Sequence, residues 1–160
     1  MDKKEIKLEY KYYQNDSEMK TADSDLLKEA KEALKSSYSP YSHFPVGAAV
    51  RLVNGEIIRG SNQENSAYPS GMCAERVALF AAGSLYPGVA IDSIAIAASS
   101  PNIEAPISPC GACRQAMLEY EDLYNQNMRI IMHGENKGIM ELSRVADLLP
   151  FGFTNHRLKK

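Results

Sequence analysis

Hydrophobic and polar positions follow helical and strand periods in turn along this chain, and the change of period predicts its elements. Residues 23–37 place leucine and alanine at helical spacing behind an acidic start and ahead of Pro40, which indicates a first helix. Residues 46–53 and 56–60 are predicted strands, because the Asn-Gly dipeptide at 54–55 is the pair that best supports a tight hairpin turn. The core therefore opens with a helix and a β-hairpin.

The rest of the chain continues to alternate helices with strands. Small apolar residues over 74–82 predict a second helix, and a third begins near Cys110. The apolar run 91–98 is typical of a central strand that is buried on both faces, and 128–132 and 138–141 are shorter strands. This order favours an α/β fold, a three-layer α-β-α sandwich with a mixed five-stranded sheet.

Residues 1–22 form a predicted N-terminal extension ahead of a domain that spans 23–160. Apolar side chains alternate with charged ones in its first half, at Ile6, Leu8, Tyr10 and Tyr12. Such alternation indicates an extra strand at a sheet edge or a subunit boundary. The charged start lacks the apolar core of a signal peptide. The sequence also has no run of about 18 apolar residues, the length needed to span a bilayer. We therefore expect a cytoplasmic protein.

Composition narrows the possible functions. The 160 residues are 44% hydrophobic and 24% charged, which is ordinary for one globular domain. A net charge of -2 argues against a protein that mainly binds nucleic acid, since phosphate binding needs clustered lysine and arginine. An odd number of cysteines, three, in a reducing compartment indicates metal or catalytic chemistry before it indicates a disulfide.

The three cysteines stand at the starts of two predicted helices. Cys73 precedes the second helix, and Pro109 fixes the chain just ahead of the third, so that Cys110 lies near its cap and Cys113 one turn further. Unpaired N–H groups at a helix start favour thiolate over thiol. If the two helix starts meet, three thiolates can hold one zinc ion and leave its fourth position to water.

Two charged residues follow Cys73 directly. Glu75 cannot easily be a ligand beside Cys73, but it can reach the open face of the metal and move the proton of the attacking water. Three thiolates leave a zinc site with net negative charge, which opposes activation of water. Arg76 and Arg114 are candidates to compensate that charge, and Arg76 is the preferred one.

The cysteine pattern is also compatible with two kinds of non-hydrolytic site. A CxxC pair alone fits a redox pair or half of a structural zinc site. A structural site needs four protein ligands, but the chain has no fourth cysteine, and His43, His133 and His156 do not have ligand spacing to the motif. A zinc-stabilised binding module without catalysis is the alternative from a different functional class.

The pattern Cys73-Ala74-Glu75 followed by Pro-Cys-Gly-Ala-Cys at 109–113 resembles the zinc signature of cytidine deaminases of the small, homotetrameric, three-cysteine type. Residues 38–49 and 62–65 are also similar to that family, and the resemblance covers about 23–155. It implies one Zn²⁺ per subunit and hydrolysis of cytidine and deoxycytidine to uridine and deoxyuridine with release of ammonia, as in pyrimidine salvage. It also implies a small-molecule nucleoside as the substrate, without nucleic-acid or membrane partners.

The resemblance assigns substrate contacts within one subunit. It implies that Phe44 packs on the pyrimidine ring, and that Asn62 and Glu64 bind ribose hydroxyls, as an aromatic face and an amide–carboxylate pair can do. Ala74 and Glu75 would contact the polar edge of the base. These roles depend on the resemblance, because the same residues in isolation would be ordinary loop or helix-start residues.

Further implied contacts cross between subunits. Tyr68 resembles a residue of a shared site, and Phe153 resembles a C-terminal aromatic that enters the neighbouring subunit's site, although Phe151 is also a candidate. A deaminase for an aminopyrimidine nucleoside antibiotic such as blasticidin S is a rival with the same zinc motif. A polynucleotide deaminase is a weaker rival, because that class usually has histidine in place of Cys73 and a basic surface.

Overall fold

The computed structural model describes residues 1–101 and 103–154. Its helices and strands, in chain order, are β1 (Lys11–Tyr13), α1 (Thr21–Ala33), β2 (Val46–Leu52), β3 (Ile57–Ser61), α2 (Ala74–Leu85), β4 (Ile91–Ala98), α3 (Gly111–Tyr124), β5 (Arg129–Gly134) and β6 (Ile139–Leu142). A 3₁₀ turn follows at Val145–Leu148. His156 and the end of the predicted domain lie outside the described residues.

The strands form one mixed sheet in the order β1-β6-β5-β4-β2-β3. β4 and β5 are parallel, and the other neighbouring pairs are antiparallel. α1 packs on one face, and α2 with α3 on the other, so the predicted three-layer sandwich is confirmed. The predicted count of five strands is wrong by one, because the N-terminal extension adds β1 at the sheet edge.

The two faces of the central strands differ in side-chain size. Ala95 and Ala97 of β4 belong to the apolar cluster under α1, whereas Ile94 and Ile96 belong to the cluster under α2 and α3. All four side chains are buried. Small residues let one helix approach the sheet closely, and branched residues fill the space beneath two helices. The apolar run at 91–98 is therefore a buried central strand, as predicted.

The β2–β3 connection differs from the predicted two-residue turn. Four residues, 53–56, separate the strands, and Gly55 takes the left-handed conformation with φ of 91°. Gly55 N donates to Leu52 O, and Leu52 N donates to Glu56 O, each at 2.9 Å. This geometry is a turn followed by a glycine bulge, which needs positive φ at one residue rather than two.

The first helix starts earlier and ends earlier than the predicted 23–37. α1 begins at Thr21 and ends at Ala33, and a 3₁₀ turn follows at Leu34–Ser36. The acidic residue that marked the predicted start, Asp23, is buried, and its Oδ1 lies 2.9 Å from Arg129 Nη1 on β5. The Asp23 carboxylate therefore pairs with a residue of β5, and the helix begins two residues before it.

β1 turns Tyr13 towards the core, and not Tyr12 of the alternating apolar positions. Tyr13 packs on the α1 side and donates its hydroxyl to Glu141 Oε2 at 2.7 Å, whereas Tyr12 is 47% exposed. Residues 1–10 lie outside the strand. Alternation gives the period of a strand but not the face that meets the core, and at a sheet edge one polar contact can select that face. The boundary at residue 22 stays a prediction.

Gly60 of β3 sets how closely α2 approaches the sheet. A Cβ atom at Gly60 would lie 2.6 Å from Ala74 O in the first turn of α2, far inside van der Waals contact. The absence of a side chain thus lets the start of α2, which follows Cys73, lie directly on the strand. Across the described residues, we find no helix with the length and apolar character needed to cross a bilayer.

Candidate metal and active site

The three cysteines meet where α2 and α3 begin. Cys73 is the N-cap of α2, Cys110 is the N-cap of α3, and Cys113 lies in the first turn of α3. Cys73 Sγ lies 3.9 Å from Cys110 Sγ, Cys110 Sγ lies 3.5 Å from Cys113 Sγ, and all three sulfurs lie within 4.8 Å of one another. Around tetrahedral zinc with Zn–S bonds of about 2.3 Å, two sulfurs are about 3.8 Å apart. The residues therefore fit a zinc ion.

The cluster is enclosed on one side only. Cys113 is buried, Cys73 is half-buried and Cys110 is exposed, so a group could approach from the side of Cys110. The contact with Cys113 and the guanidinium of Arg76 lower the pKa of the Cys73 thiol, while the same sulfur contact and burial raise the pKa of Cys113. The sulfurs thus share protons, which zinc displaces when thiolates bind it. His43 and His133 do not belong to the cluster.

Glu75 lies on the first turn of α2 beside these thiols and is only 5% exposed. Burial raises the pKa of its carboxyl group, and the negative charge of Cys73 raises it further. A buried carboxyl group with a raised pKa accepts a proton more readily than an ordinary one and can return it. Its location thus suits proton transfer next to a bound metal.

The two arginine candidates have different contacts. Arg76 Nη2 lies 3.9 Å from Cys73 Sγ, so its charge faces a thiolate. Arg114 instead donates to Pro109 O at 2.8 Å and to Leu148 O at 3.0 Å. The geometry therefore supports Arg76 as the compensating charge, a role that stays a prediction, and gives Arg114 hydrogen bonds to the main chain.

A cleft of about 470 Å³ opens beside Cys73 and Arg76. Three predicted substrate contacts, Asn62, Glu64 and Tyr68, are among the residues that line it. Sequence reasoning missed the other lining residues, which are Tyr41, Ser42, Gln63, Asn65, Gly71 and Met72. Tyr41 and Ser42 lie within 38–49, and Gln63 and Asn65 lie within 62–65. These segments resemble the family, which was the available signal for the four residues.

Asn62 also organises the wall of the cleft. Its Oδ1 accepts from Val46 N at 2.8 Å and from Ser37 Oγ at 2.6 Å, and its Nδ2 donates to Phe44 O at 3.0 Å. An amide nitrogen carries two N–H groups, so one donor can serve the protein and the other a ligand. The side chain thus fixes the main chain that carries Phe44.

Glu64 holds the neighbouring part of the wall. Its Oε2 accepts from the backbone N–H groups of Tyr41 at 2.9 Å and Ser42 at 3.2 Å. A hydrogen bond from the Ser42 side chain and these backbone donors lower the pKa of the carboxyl group. Glu64 therefore presents a carboxylate, a group that can accept hydrogen bonds from a sugar diol.

Three other predicted contacts lie away from the lining of the cleft. Phe44 is half-buried and does not belong to the lining, and Ala74 is fully buried at the start of α2. Phe153 is 54% exposed on the C-terminal segment, and Phe151 is 87% exposed. A single chain therefore does not bring a C-terminal phenylalanine to the cleft.

The chain is similar to known deaminases over most of its length. A family model described as the cytidine and deoxycytidylate deaminase zinc-binding region matches residues 20–125. A cytidine deaminase of Sporosarcina psychrophila is 43% identical over 134 residues, which cover 83% of this chain and 92% of that protein. A cytidine deaminase of Halalkalibacterium halodurans is 42% identical over 129 residues, 81% of this chain and 92% of that protein.

The fold agrees with this similarity. The crystal structure of cytidine deaminase from Burkholderia pseudomallei has a TM-score of 0.71 at 37% identity, covering 81% of this chain and 97% of that one. The matched region 20–125 contains both helix starts that bring the thiols of Cys73, Cys110 and Cys113 together. The chain therefore belongs to the cytidine and deoxycytidylate deaminase family.

Proposed function

We propose that this protein hydrolyses cytidine and deoxycytidine to uridine and deoxyuridine with release of ammonia, a reaction of pyrimidine salvage. The observation that carries the proposal is the convergence of three thiol groups and the buried carboxyl of Glu75 next to an open cleft. The volume of about 470 Å³ lies in the range of small-molecule sites. The cytidine deaminase relatives, one of them 43% identical, support the choice of substrate.

Glu75 is the proposed proton carrier. Zinc, held by Cys73, Cys110 and Cys113, would supply a Lewis acid that activates water for attack at C4 of the base. Glu75 takes one proton from that water and gives it to the ring nitrogen, then takes the remaining proton from the hydroxyl now bonded to C4 and delivers it to the leaving amine. Water is consumed and ammonia leaves, so Glu75 ends the cycle in the state in which it began.

Surrounding charges are proposed to favour this proton transfer. Three thiolates would make the site negative, which disfavours loss of a proton from water. The guanidinium of Arg76, 3.9 Å from Cys73 Sγ, and the starts of α2 and α3 offset that charge. Asn62 and Glu64 on the cleft wall would orient the sugar, and Phe44 would pack on the base once a nucleoside is bound.

The active form is proposed to be a homotetramer with shared sites. Tyr68 is 76% exposed and Phe153 is 54% exposed in the single chain, although both are aromatic, so a neighbouring subunit could cover them. A reducing compartment such as the cytoplasm would keep the three cysteines available as metal ligands.

The direct test follows the loss of cytidine absorbance by the purified protein, with and without a zinc chelator. We expect turnover that disappears with the chelator and returns with added zinc. Blasticidin S serves as the comparison substrate, since its deaminases share the zinc motif. Faster turnover of the antibiotic than of cytidine would replace the proposed substrate, and binding of zinc without ammonia release from either would indicate a binding module.

A further inference from the structure

We propose that Arg114 is a positioning residue that holds the chain ahead of Cys110 and joins it to the C-terminal segment. We call residues 108–110 the ligand loop and residues 145–153 the C-terminal segment. The inference rests on the proposed function only in taking the metal to be zinc. It replaces the charge-compensating role that the sequence allowed for Arg114.

Arg114 contacts both parts with one guanidinium group. Nε donates to Pro109 O at 2.8 Å, and Nη2 donates to Ser108 Oγ at 2.8 Å. Nη1 donates to Leu148 O at 3.0 Å, at the end of the 3₁₀ turn in the C-terminal segment. Two bonds therefore hold the ligand loop, and the third joins Arg114 to Leu148, 34 residues further along the chain.

The ligand loop needs such support because regular structure does not provide it. Residues 103–110 contain neither helix nor strand, and Cys110 caps α3 without a side-chain cap hydrogen bond. Pro109 has no N–H group, so the loop has one fewer main-chain donor with which to anchor itself. The position of Cys110 Sγ, 3.9 Å from Cys73 Sγ, thus depends on contacts from outside the loop.

The C-terminal segment is held firmly enough to serve as the second anchor. The buried carboxylate of Glu121 accepts from Val145 N at 2.8 Å and Ala146 N at 3.1 Å, and Gln115 Nε2 donates to Phe153 O at 2.8 Å. Glu121 and Gln115 belong to α3, as Arg114 does. Side chains of α3 therefore hold the C-terminal segment against the helix. Arg114, on the same helix, connects the segment to the ligand loop by hydrogen bonds.

Shape, rather than charge, is what Arg114 supplies in this arrangement. Its three acceptors are two carbonyl oxygens and a hydroxyl oxygen, which a planar fork of N–H groups can satisfy together. Lysine carries the same charge as a single point and cannot reproduce the fork. Substitution by lysine thus separates a positioning role from a charge role.

The experiment compares Zn²⁺ affinity, by competition with a chelator, in wild type, Arg114→Lys and Arg114→Gln. Loss of a residue that contacts a metal ligand weakens metal binding by about 10–100-fold. Arg114 acts one residue further out, through Pro109, so we expect both variants to lose about tenfold in affinity. Arg144→Gln is the matched control. Arg144 is an exposed arginine near the same segment that pairs with Asp147 at 2.7 Å, and we expect its affinity within about twofold of wild type.

The absorption spectrum of a cobalt-loaded sample reports the geometry of the metal site, and a general loss of stability would not change it. We expect the Co²⁺ absorption bands, which report thiolate geometry, to shift in both Arg114 variants and to stay unchanged in Arg144→Gln. Ser108→Ala removes a single contact of the fork and is the variant to use if Arg114 substitutions do not fold. It should weaken Zn²⁺ binding by a few-fold.

The inference is overturned if Arg114→Lys binds Zn²⁺ as wild type does while Arg114→Gln does not, because charge alone would then suffice. It is also overturned if all the Arg114 and Ser108 variants bind as wild type. These outcomes do not depend on turnover. A wild-type protein that binds Zn²⁺ without deaminating cytidine would refute the proposed function and leave the affinity comparison to decide the role of Arg114.

Discussion

At the scale of single residues, Glu75 combines two properties that seldom occur together in a carboxyl group. It is 5% exposed, and it lies next to thiols that become negative when they bind metal. Both burial and the charge of Cys73 raise its pKa. A carboxyl group of this kind costs stability, since burial of a charge is unfavourable, and a buried titratable group beside candidate metal ligands is a candidate for proton transfer.

Glu75→Gln should therefore keep zinc and fold but lose turnover. The amide has the size of the acid but cannot accept a proton, so we expect the cytidine turnover rate to fall by at least about 10²–10⁴-fold. Zinc stoichiometry measures whether the variant keeps its metal, and steady-state cytidine kinetics measure the loss of turnover. Glu119→Gln, at an exposed position on α3, is the control and should keep full activity. Near-normal turnover of Glu75→Gln would contradict the mechanism.

Cys110→Ala should remove the metal. Two thiolates cannot complete the site, and the sulfurs of Cys73 and Cys113 would lose their exposed partner. We expect zinc content near zero after dialysis against a weak chelator, with the secondary structure retained because Cys110 lies outside the core. An unchanged zinc stoichiometry, measured by atomic absorption, would refute the ligand assignment.

At the scale of elements, the metal cluster depends on how closely α2 and α3 approach each other on one face of the sheet. Each helix carries a cysteine at its N-cap, and β4 and β5 lie beneath them. The helix starts place the positive ends of two helix dipoles at the thiols, and the sheet supplies the rigid base that keeps the starts together. The position of Cys73 therefore also depends on the packing of α2 on β3, where Gly60 lies against the first turn of the helix.

Gly60→Ala tests that packing. The new methyl group would lie 2.6 Å from Ala74 O, so α2 or β3 must move, and we expect a loss of about 1–3 kcal/mol in the free energy of unfolding. Chemical denaturation measures it. Gly111→Ala is the control, because a Cβ there meets no atom within 4 Å. Equal stability of the two variants would show that the sheet tolerates a wider gap.

At the scale of the whole molecule, the N-terminal extension covers a buried charge at the sheet edge. Glu141 on β6 is 5% exposed and accepts from Tyr13 Oη at 2.7 Å and Lys11 Nζ at 3.2 Å, both on β1. Arg129 lies 3.7 Å from the same carboxylate and also binds Asp23 of α1. The extension thus belongs to an ion network that links β1, α1, β5 and β6.

Tyr13→Phe should change how the stability of the protein depends on pH, because it removes the hydrogen bond between Tyr13 and Glu141. Burial raises the pKa of Tyr13 to about 12, and the hydrogen bond to Glu141 adds to the effect. Because the folded-state pKa is above the ordinary value of 10, its stabilisation is complete below pH 10 and is lost as pH rises towards 12. Wild type should lose stability across that window, whereas Tyr13→Phe should lack this part of the fall.

The measurement is urea unfolding at pH 7 and between pH 10 and 12. We expect Tyr13→Phe to be less stable by about 1–2 kcal/mol at pH 7, because a hydrogen bond to a charged group is lost. Tyr12→Phe is the matched control, since its hydroxyl donates to a carbonyl, Lys137 O, at 2.8 Å and its side chain is 47% exposed. If both variants show the wild-type loss above pH 10, the Tyr13–Glu141 contact is not the cause.

Shared sites make a prediction about mixed assemblies. Glu75→Gln lacks the proposed proton carrier, and Phe153→Ala lacks the aromatic proposed to complete a neighbouring site. Co-expression of the two variants should produce some sites in which an intact Glu75 from one subunit meets an intact Phe153 from the other. We expect more cytidine turnover from the mixture than from either variant alone. Glu75→Gln with Cys110→Ala is the control, since both lesions fall on the same chain's half of the site. No gain in the first mixture would refute sharing of Phe153.

Much of the fold was predictable because the hydrophobic period reports local structure directly. The strand at 91–98 and the helices that follow Cys73 and Cys110 were predicted correctly, since apolar runs, proline and helix-start residues act within a few positions. The β2–β3 turn was placed correctly at Asn54-Gly55 but its type was not predicted, and α1 begins two residues before the predicted start. A bulge at Gly55 and a salt bridge of Asp23 to a distant strand leave no local trace.

The cysteine spacing alone indicated metal or redox chemistry, because helix geometry places Cys110 and Cys113 on one side and a thiolate's preference for a helix start does not depend on the fold. The fold decided whether Cys73 joins them, which of Arg76 and Arg114 faces sulfur, and which side of β1 is buried. Each of these depends on residues far apart in sequence. Long-range contacts form only when the sheet and its helices pack, so no local pattern contains them.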